Sequence, residues 1–246
     1  MRIIARVHLS KNDIVLIITV GNDARKLVAD GFPLERVVTS DLRQGDRSFC
    51  AWADRLDRSP VFVLAEFADL GHKLFRTTQE KYPIAFVAGD VFDSKHLDVV
   101  PPLASAHEPT GRSEDPIPDL RSLTSLNALR GRVFAIHASL FFHLFGQEKQ
   151  LYVAHALAGL LSPEPGSVIF GLHLGSPEKG FVESPTRRDH QIFCHSPESW
   201  TQLWDGLVFG KGMVNVQAKL VQMERKESDE SQAQTVTVLV WSVTRL

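Results

Sequence analysis

Val37-Val38-Thr39-Ser40-Asp41 and, further along, Ala85-Phe86-Val87-Ala88-Gly89-Asp90-Val91-Phe92-Asp93 are the two stretches on which the fold turns. Each is a short apolar run closing on an acidic residue. In a doubly wound α/β sheet, a carboxylate at the C-terminal end of a strand takes the two hydroxyls of a ribose, and a second one nearby takes a base amino group. Two such strand ends in order point to an enzyme that uses a nucleoside cofactor. A lone strand-end Asp carries much less weight, because most such residues start a loop or cap a helix.

Outward from these stretches the pattern alternates between strands and helices. Ile14-Val15-Leu16-Ile17-Ile18-Thr19-Val20 is rich in β-branched residues and bounded by Gly21-Asn22, so it reads as a buried strand. A short amphipathic helix over 23–30 is stopped by Gly31, and the next strand, 36–40, ends at Asp41. The spacing of Leu70, Leu74 and Phe75 predicts a helix over 67–81. Strands follow at 84–88 and 132–137, then a helix at 147–161 and a strand at 167–172. Ser196-Pro197-Glu198 supplies an N-cap, a first-turn proline and an early acid for a helix that would bury Trp200, Leu203, Trp204 and Leu207. Two long alternating strands, 213–223 and 235–243, flank the charged run 224–230 and form an antiparallel hairpin with a solvated tip.

Composition narrows the function classes. The 246 residues, 43% of them hydrophobic, are enough for one α/β domain with a sizeable core. A net charge of -2 gives no field to gather nucleic acid or anionic lipid. Cys50 and Cys194 show no zinc-binding spacing and read as reduced thiols of a cytoplasmic protein. The apolar run 14–20 is far short of the ~20 residues a bilayer requires, and no cleavage-like site ends it, so neither export nor a membrane anchor is expected.

A parallel α/β sheet that finishes in a long antiparallel hairpin is the layout of class I S-adenosylmethionine-dependent methyltransferases. The chain resembles a fungal group of these, the methyltransferases of meroterpenoid and polyketide-type secondary metabolism. The resemblance rests on Asp23-Ala24-Arg25-Lys26-Leu27-Val28-Ala29-Asp30-Gly31, Ser40-Asp41-Leu42, Gly71-His72-Lys73-Leu74-Phe75-Arg76, Gly89-Asp90-Val91-Phe92-Asp93, Ile136-His137-Ala138-Ser139-Leu140-Phe141-Phe142-His143-Leu144-Phe145, Leu161-Ser162-Pro163-Glu164-Pro165-Gly166-Ser167 and His195-Ser196-Pro197-Glu198-Ser199-Trp200. It spans roughly residues 20–245 with gaps. It implies a single α/β domain with a doubly wound seven-stranded sheet and a C-terminal antiparallel hairpin, and S-adenosyl-L-methionine as cofactor. It also implies a small-molecule acceptor bearing a carboxylate or phenol, and it allows a homodimer.

By position, the resemblance makes Asp41 the ribose ligand, with Leu42 packed beside the adenosine. Asp90 would accept the adenine amino group and Val91 would cover the ring. His137 and Ala138 would line the pocket near the methionine moiety, and Gly21 would let the backbone approach the cofactor. For a phenol acceptor, His143 or His137 would serve as base, with His143 taken as the catalytic residue, and the rings of Phe141, Phe142 and Phe145 could wall an apolar substrate.

Two departures qualify this picture. The turn Val20-Gly21-Asn22-Asp23 has a single glycine where such enzymes present a glycine-rich loop. The segment 44–65, carrying Cys50, Trp52 and Pro60-Val61-Phe62-Val63-Leu64-Ala65, reads as an insertion of retained-intron type between family-like parts 14–43 and 66–246. A rival reading therefore keeps the fold without the cofactor, or turns it to a cyclisation or structural role. Other chemistries are weak. No histidine pair has metal-site spacing, and Asp189-His190 lacks a nucleophile elbow. Neither Tyr82 nor Tyr152 has a lysine four residues on, as a short-chain reductase would need.

Overall fold

Five consecutive buried aliphatics, Ile14–Ile18, form β1 at the centre of the main sheet. A strand covered on both faces needs apolar side chains at every position, which is why the run is continuous rather than alternating. The computed structural model describes residues 9–18, 22–41, 73, 76–78, 80–104, 119–184, 187–225 and 234–246. Gly21, Leu42 and the segment 44–65 lie outside the described residues, and so does the hairpin tip at 226–233.

The main sheet has seven strands in the order β3-β2-β1-β4-β5-β9-β8. They are β2 Val37–Asp41, β3 Ala85–Ala88, β4 Val133–Ala138, β5 Val168–Leu174, β8 Val214–Arg225 and β9 Gln234–Arg245, with β1 as above. β1 pairs in parallel with both β2 and β4, and β9 is antiparallel to both β5 and β8. Successive strands progress one way from β1 to β3 and the other way from β4 to β5. The order therefore reverses between β1 and β4, and the crevice beyond their C-terminal ends is the switch point where such sheets bind ligands. The expected doubly wound sheet with its terminal hairpin is present.

The two faces of β1 feed separate cores, as the two-residue period of a strand requires. Ile14, Leu16 and Ile18 join the larger cluster, which also holds Val153, Ala154 and Leu157 of α2 (Gln147–Leu160). Val15 and Ile17 join the smaller one with Ala24 and Leu27 of α1 (Asn22–Ala29). Gly31, at φ +99, ends α1 where a side chain would be strained, and Phe32 N donates back to Leu27 O at 3.2 Å.

Two expectations need correction, and one small sheet is additional to them. The helix over 67–81 does not reach Lys81: Arg76 adopts φ +52, and Thr78 O accepts instead from Lys81 N and Tyr82 N in a turn. Helix α3 (Pro197–Trp204) has the expected Ser196 cap and first-turn proline, and it buries Trp200, Leu203 and Trp204. It stops before Leu207, which is exposed; Gly206 turns the chain so that Val208 and Phe209 enter the core in its place. Finally, β6 (Gly180–Ser184) and β7 (Arg187–Cys194) form a second antiparallel sheet that the sequence reading did not anticipate. The segment is polar and lacks an Asn-Gly or Asp-Gly turn, so its hairpin signal is faint. Phe181 lies opposite Phe193, ring centroids 5.4 Å apart.

Candidate functional site

The C-terminal ends of β1 to β4 come level along one edge. Ile18 is register partner of both Ser40 and Ala138, and Asp41 is partner of Ala88. Hydroxyls lash β2 to β3: Thr39 Oγ1 donates to Ala85 O at 3.0 Å and Ser40 Oγ to Val87 O at 2.8 Å. Gly89 N donates to Asp41 O at 3.1 Å, so the two acidic strand ends are adjacent and their backbones are fixed.

Asp41 and Asp90 are each half-buried. Asp90 Oδ1 accepts from Phe92 N at 2.9 Å and Asp93 Oδ1 from Lys95 N at 2.9 Å, so both carboxylates also organise their own turns. Val91 is buried within the main core. Behind the turn, His96 packs so closely on Gly89 that a Cβ there would stand 2.1 Å from the imidazole Nδ1.

On the other side of β1, His137 is buried near the end of β4. Its Nδ1 lies 3.5 Å from Asp23 Oδ2 in the first turn of α1, an ion-pair distance too long for a hydrogen bond. Its Nε2 lies 2.7 Å from Ser139 Oγ, which also accepts from Leu172 N at 3.3 Å. The serine hydroxyl is then able to donate to Nε2, leaving the imidazole proton on Nδ1 toward Asp23. Burial lowers the His137 pKa and Asp23 opposes that only in part, so the ring is neutral at pH 7. Ala138 is fully buried. Asp23 and Ser139 were not singled out from the sequence. Nothing local in the sequence marks either of them.

His143 sits in a short 3-10 turn, Phe142–Leu144, beyond β4. Burial holds its imidazole down at about 4, and its Nδ1 has no hydrogen-bond partner. The rings of Phe141, Phe142 and Phe145 pack into the core, with Phe141 edge-on to the other two at centroid distances of 6.0 and 5.2 Å. They wall no open surface. The exposed apolar side chains of this turn are Leu140, 56% accessible, and Leu144, 44%. Leu140 is held at φ +54, a conformation a γ-branched side chain rarely adopts, while its N–H donates to Leu172 O.

Among the described residues no group of three or more His, Cys, Asp or Glu has the geometry to hold a metal ion, and no helix is long and apolar enough to cross a membrane. Cys194 is a buried free thiol whose pKa burial raises to about 11, which keeps it unreactive.

No family model matches the chain. It is 28% identical over 185 residues to the O-methyltransferase phiE of a fungal species (strain ATCC 74256), covering 75% of this chain and 45% of that protein. It is 26% identical over 184 residues to the Asnovolin E/Chermesin D methyltransferase nvfJ of Aspergillus novofumigatus, covering 75% and 48%. The chain thus spans about half the length of the curated relatives it matches. Among solved structures, YcgJ of Bacillus subtilis superposes with a TM-score of 0.51 at 10% identity, over 98% of this chain and 95% of that one. A structure concerned with converting a disulfide bond into a thioacetal group in echinomycin biosynthesis gives 0.51 at 14% identity, over 95% and 75%. These likenesses, with the strand order above, place the chain in the class I methyltransferase fold.

Proposed function

We propose that this relative of the fungal secondary-metabolite O-methyltransferases transfers a methyl group from S-adenosyl-L-methionine to a carboxylate on an apolar, polyketide–terpenoid type of small molecule. The observation that carries the reading is the juxtaposition of Asp41 and Asp90 at neighbouring strand ends beside the switch point. The donor set fits the cofactor. A ribose diol and an exocyclic amine are hydrogen-bond donors, and half-buried carboxylates, each with several lone pairs, can accept from them. Asp41 would hold the ribose with Leu42 alongside, and Asp90 would take the adenine amino group with Val91 at the ring. Gly21 would let the backbone approach, and His137 and Ala138 would border the methionine end. S-adenosylmethionine, when bound, would supply an activated sulfonium methyl for an ionised oxygen to attack, with the neutral thioether as leaving group and no proton transfer needed, so the protein's part is alignment and exclusion of water.

The state of His143 favours the carboxylate over the phenol. A general base works best with a pKa near the working pH, and an imidazole held at about 4 is a poor partner for a phenol of pKa ~10. A carboxylic acid is already ionised near neutrality. His143 then contacts the acceptor without having to deprotonate it.

Calorimetric titration tests the reading. S-adenosylmethionine should bind the wild-type chain, and Asp41→Ala or Asp90→Ala should each remove the heat of binding. Absence of any binding to the wild type at millimolar cofactor would overturn it. With turnover established, the rate should be flat between about pH 6 and pH 8 and His143→Gln should cost little, whereas a base-dependent phenol would lose on the order of a hundredfold.

A further inference from the structure

Near the end of β5, His173 and His195 meet around Trp200, and a third histidine, His143, bears on His173 from a separate segment. His173 lies near the end of β5, 4.7 Å from the Trp200 ring centroid to centroid, and His195 precedes α3 at 5.3 Å. His143, in the turn after β4, bears electrostatically on His173, as His195 does. Each presents a buried ring nitrogen without a hydrogen-bond partner: His143 Nδ1, His173 Nε2 and His195 Nε2. The indole Nε1 of Trp200 is in the same condition. Leaving a polar group buried and unpaired costs about 1–3 kcal/mol, so several in one place mark a site built to be satisfied by something else.

The chemistry of one member is fixed by its neighbour. Trp241 Nε1, which can only donate, approaches His173 Nδ1 at 2.9 Å. Nδ1 must therefore carry the lone pair, and the proton sits on Nε2. His173 is a neutral imidazole that offers one N–H donor, in a cage formed by Phe142, Trp200 and Trp241. The exposed cation Lys179 bears on His195 from the β6 side.

This cage adjoins the cofactor side of the edge through one short segment. Ser139 touches His137 and Leu172, and Leu140 N donates to Leu172 O, one residue before His173. The half-buried His143 and the exposed Leu140 and Leu144 stand at its outer side.

We propose that His173, with His143 and His195, forms the subsite that holds the acceptor carboxylate, His173 Nε2–H donating to the oxygen that is not methylated. This rests on the methyl-transfer reading above. The neutral His173 N–H orients one carboxylate oxygen, and the aromatic cage excludes water. The adjoining Leu140 and Leu144 meet the apolar skeleton.

Cinnamate, an apolar carboxylate, serves as probe, with methyl cinnamate as its uncharged control, on the full chain labelled with nitrogen-15 histidine. Cinnamate should shift the His173 Nε2 proton and nitrogen resonances while the Nδ1 nitrogen keeps its unprotonated signature, and the ester should bind at least about tenfold more weakly. His173→Phe preserves a ring of similar size and should weaken cinnamate about tenfold while leaving S-adenosylmethionine affinity unchanged. Should that variant fail to fold, the wild-type resonances decide alone. A saturating cinnamate titration that leaves His173 unmoved, or a folded His173→Phe chain that binds cinnamate as the wild type does, overturns the assignment. Cinnamate binding needs no cofactor. A His173 shift in a chain that does not bind S-adenosylmethionine would thus uphold the subsite and refute methyl transfer.

Discussion

His137 Nδ1 stands 3.5 Å from Asp23 Oδ2, so the end of β4 faces the first turn of α1 across the switch point. Burial pushes the imidazole toward its neutral form and the carboxylate pulls the other way. Asp23→Asn removes the pull and keeps the shape, so the titration midpoint of His137, followed by NMR, should move lower still. The change also removes a favourable charge from a helix N-terminus, and the combined loss of stability should be on the order of 1 kcal/mol by denaturant unfolding. A midpoint that stays put or rises would show that the pair is not coupled.

The Asp90 turn depends on a glycine for room. A Cβ on Gly89 would sit 2.1 Å from His96 Nδ1 and 2.2 Å from its Cγ, and His96 is itself buried. Gly89→Ala should cost about 1–3 kcal/mol and loosen the Asp90 carboxylate, weakening cofactor binding. The clash has one named partner, so the same substitution in a His96→Ala background should cost less than half as much. Equal costs in both backgrounds would put the strain elsewhere.

The parts legible in the sequence were those where one local rule decides the outcome. A strand buried on both faces must be continuously aliphatic, so Ile14–Ile18 announced itself, and the acidic residues closing β2 and β3 followed. Ser196 and Pro197 wrote the start of α3 in capping chemistry. What stayed hidden needed the third dimension. His143 was legible as a histidine near the site, but its loss of basicity comes from burial by distant elements. His173 and His195 lie on β5 and before α3, and only the packing of Trp200 brings them together. Likewise, nothing in Ser139-Leu140-Phe141 signals a left-handed leucine; the pairing of Leu140 N with Leu172 O imposes it.

That leucine gives a test of strain against function. At φ +54 a non-glycine residue gives up roughly 1 kcal/mol, and Leu140 recovers little through burial because it is 56% exposed. Leu140→Gly relieves the strain at a similar cost in unfolded-chain entropy, so the melting temperature should be unchanged or higher. If the side chain serves the acceptor, KM for the acceptor should rise while S-adenosylmethionine affinity holds. A fall of several degrees in melting temperature would mean that Leu140 is held for packing alone.

The buried histidines should also make the fold acid-sensitive in a defined window. His143 and His195 are held at about 4 by burial, and His173 well below 6.5. In the unfolded chain each titrates near 6.5. Above that value the contribution of these groups to stability is complete and flat. Below it the unfolded chain takes up protons that the folded chain refuses, so unfolding gains ground as pH falls toward 4. Each histidine contributes at most about 1.4 kcal/mol per pH unit within that window. Urea unfolding at about pH 7, 6 and 5 should therefore show stability level at the top and falling below. His143→Gln removes one refused proton and should make the fall shallower, whatever it does to stability at neutral pH. A profile flat from 7 to 5, or an undiminished slope in the variant, would mean that these imidazoles charge as readily in the folded chain as in the unfolded one. The neutral state assigned to the His173 cage would then be wrong.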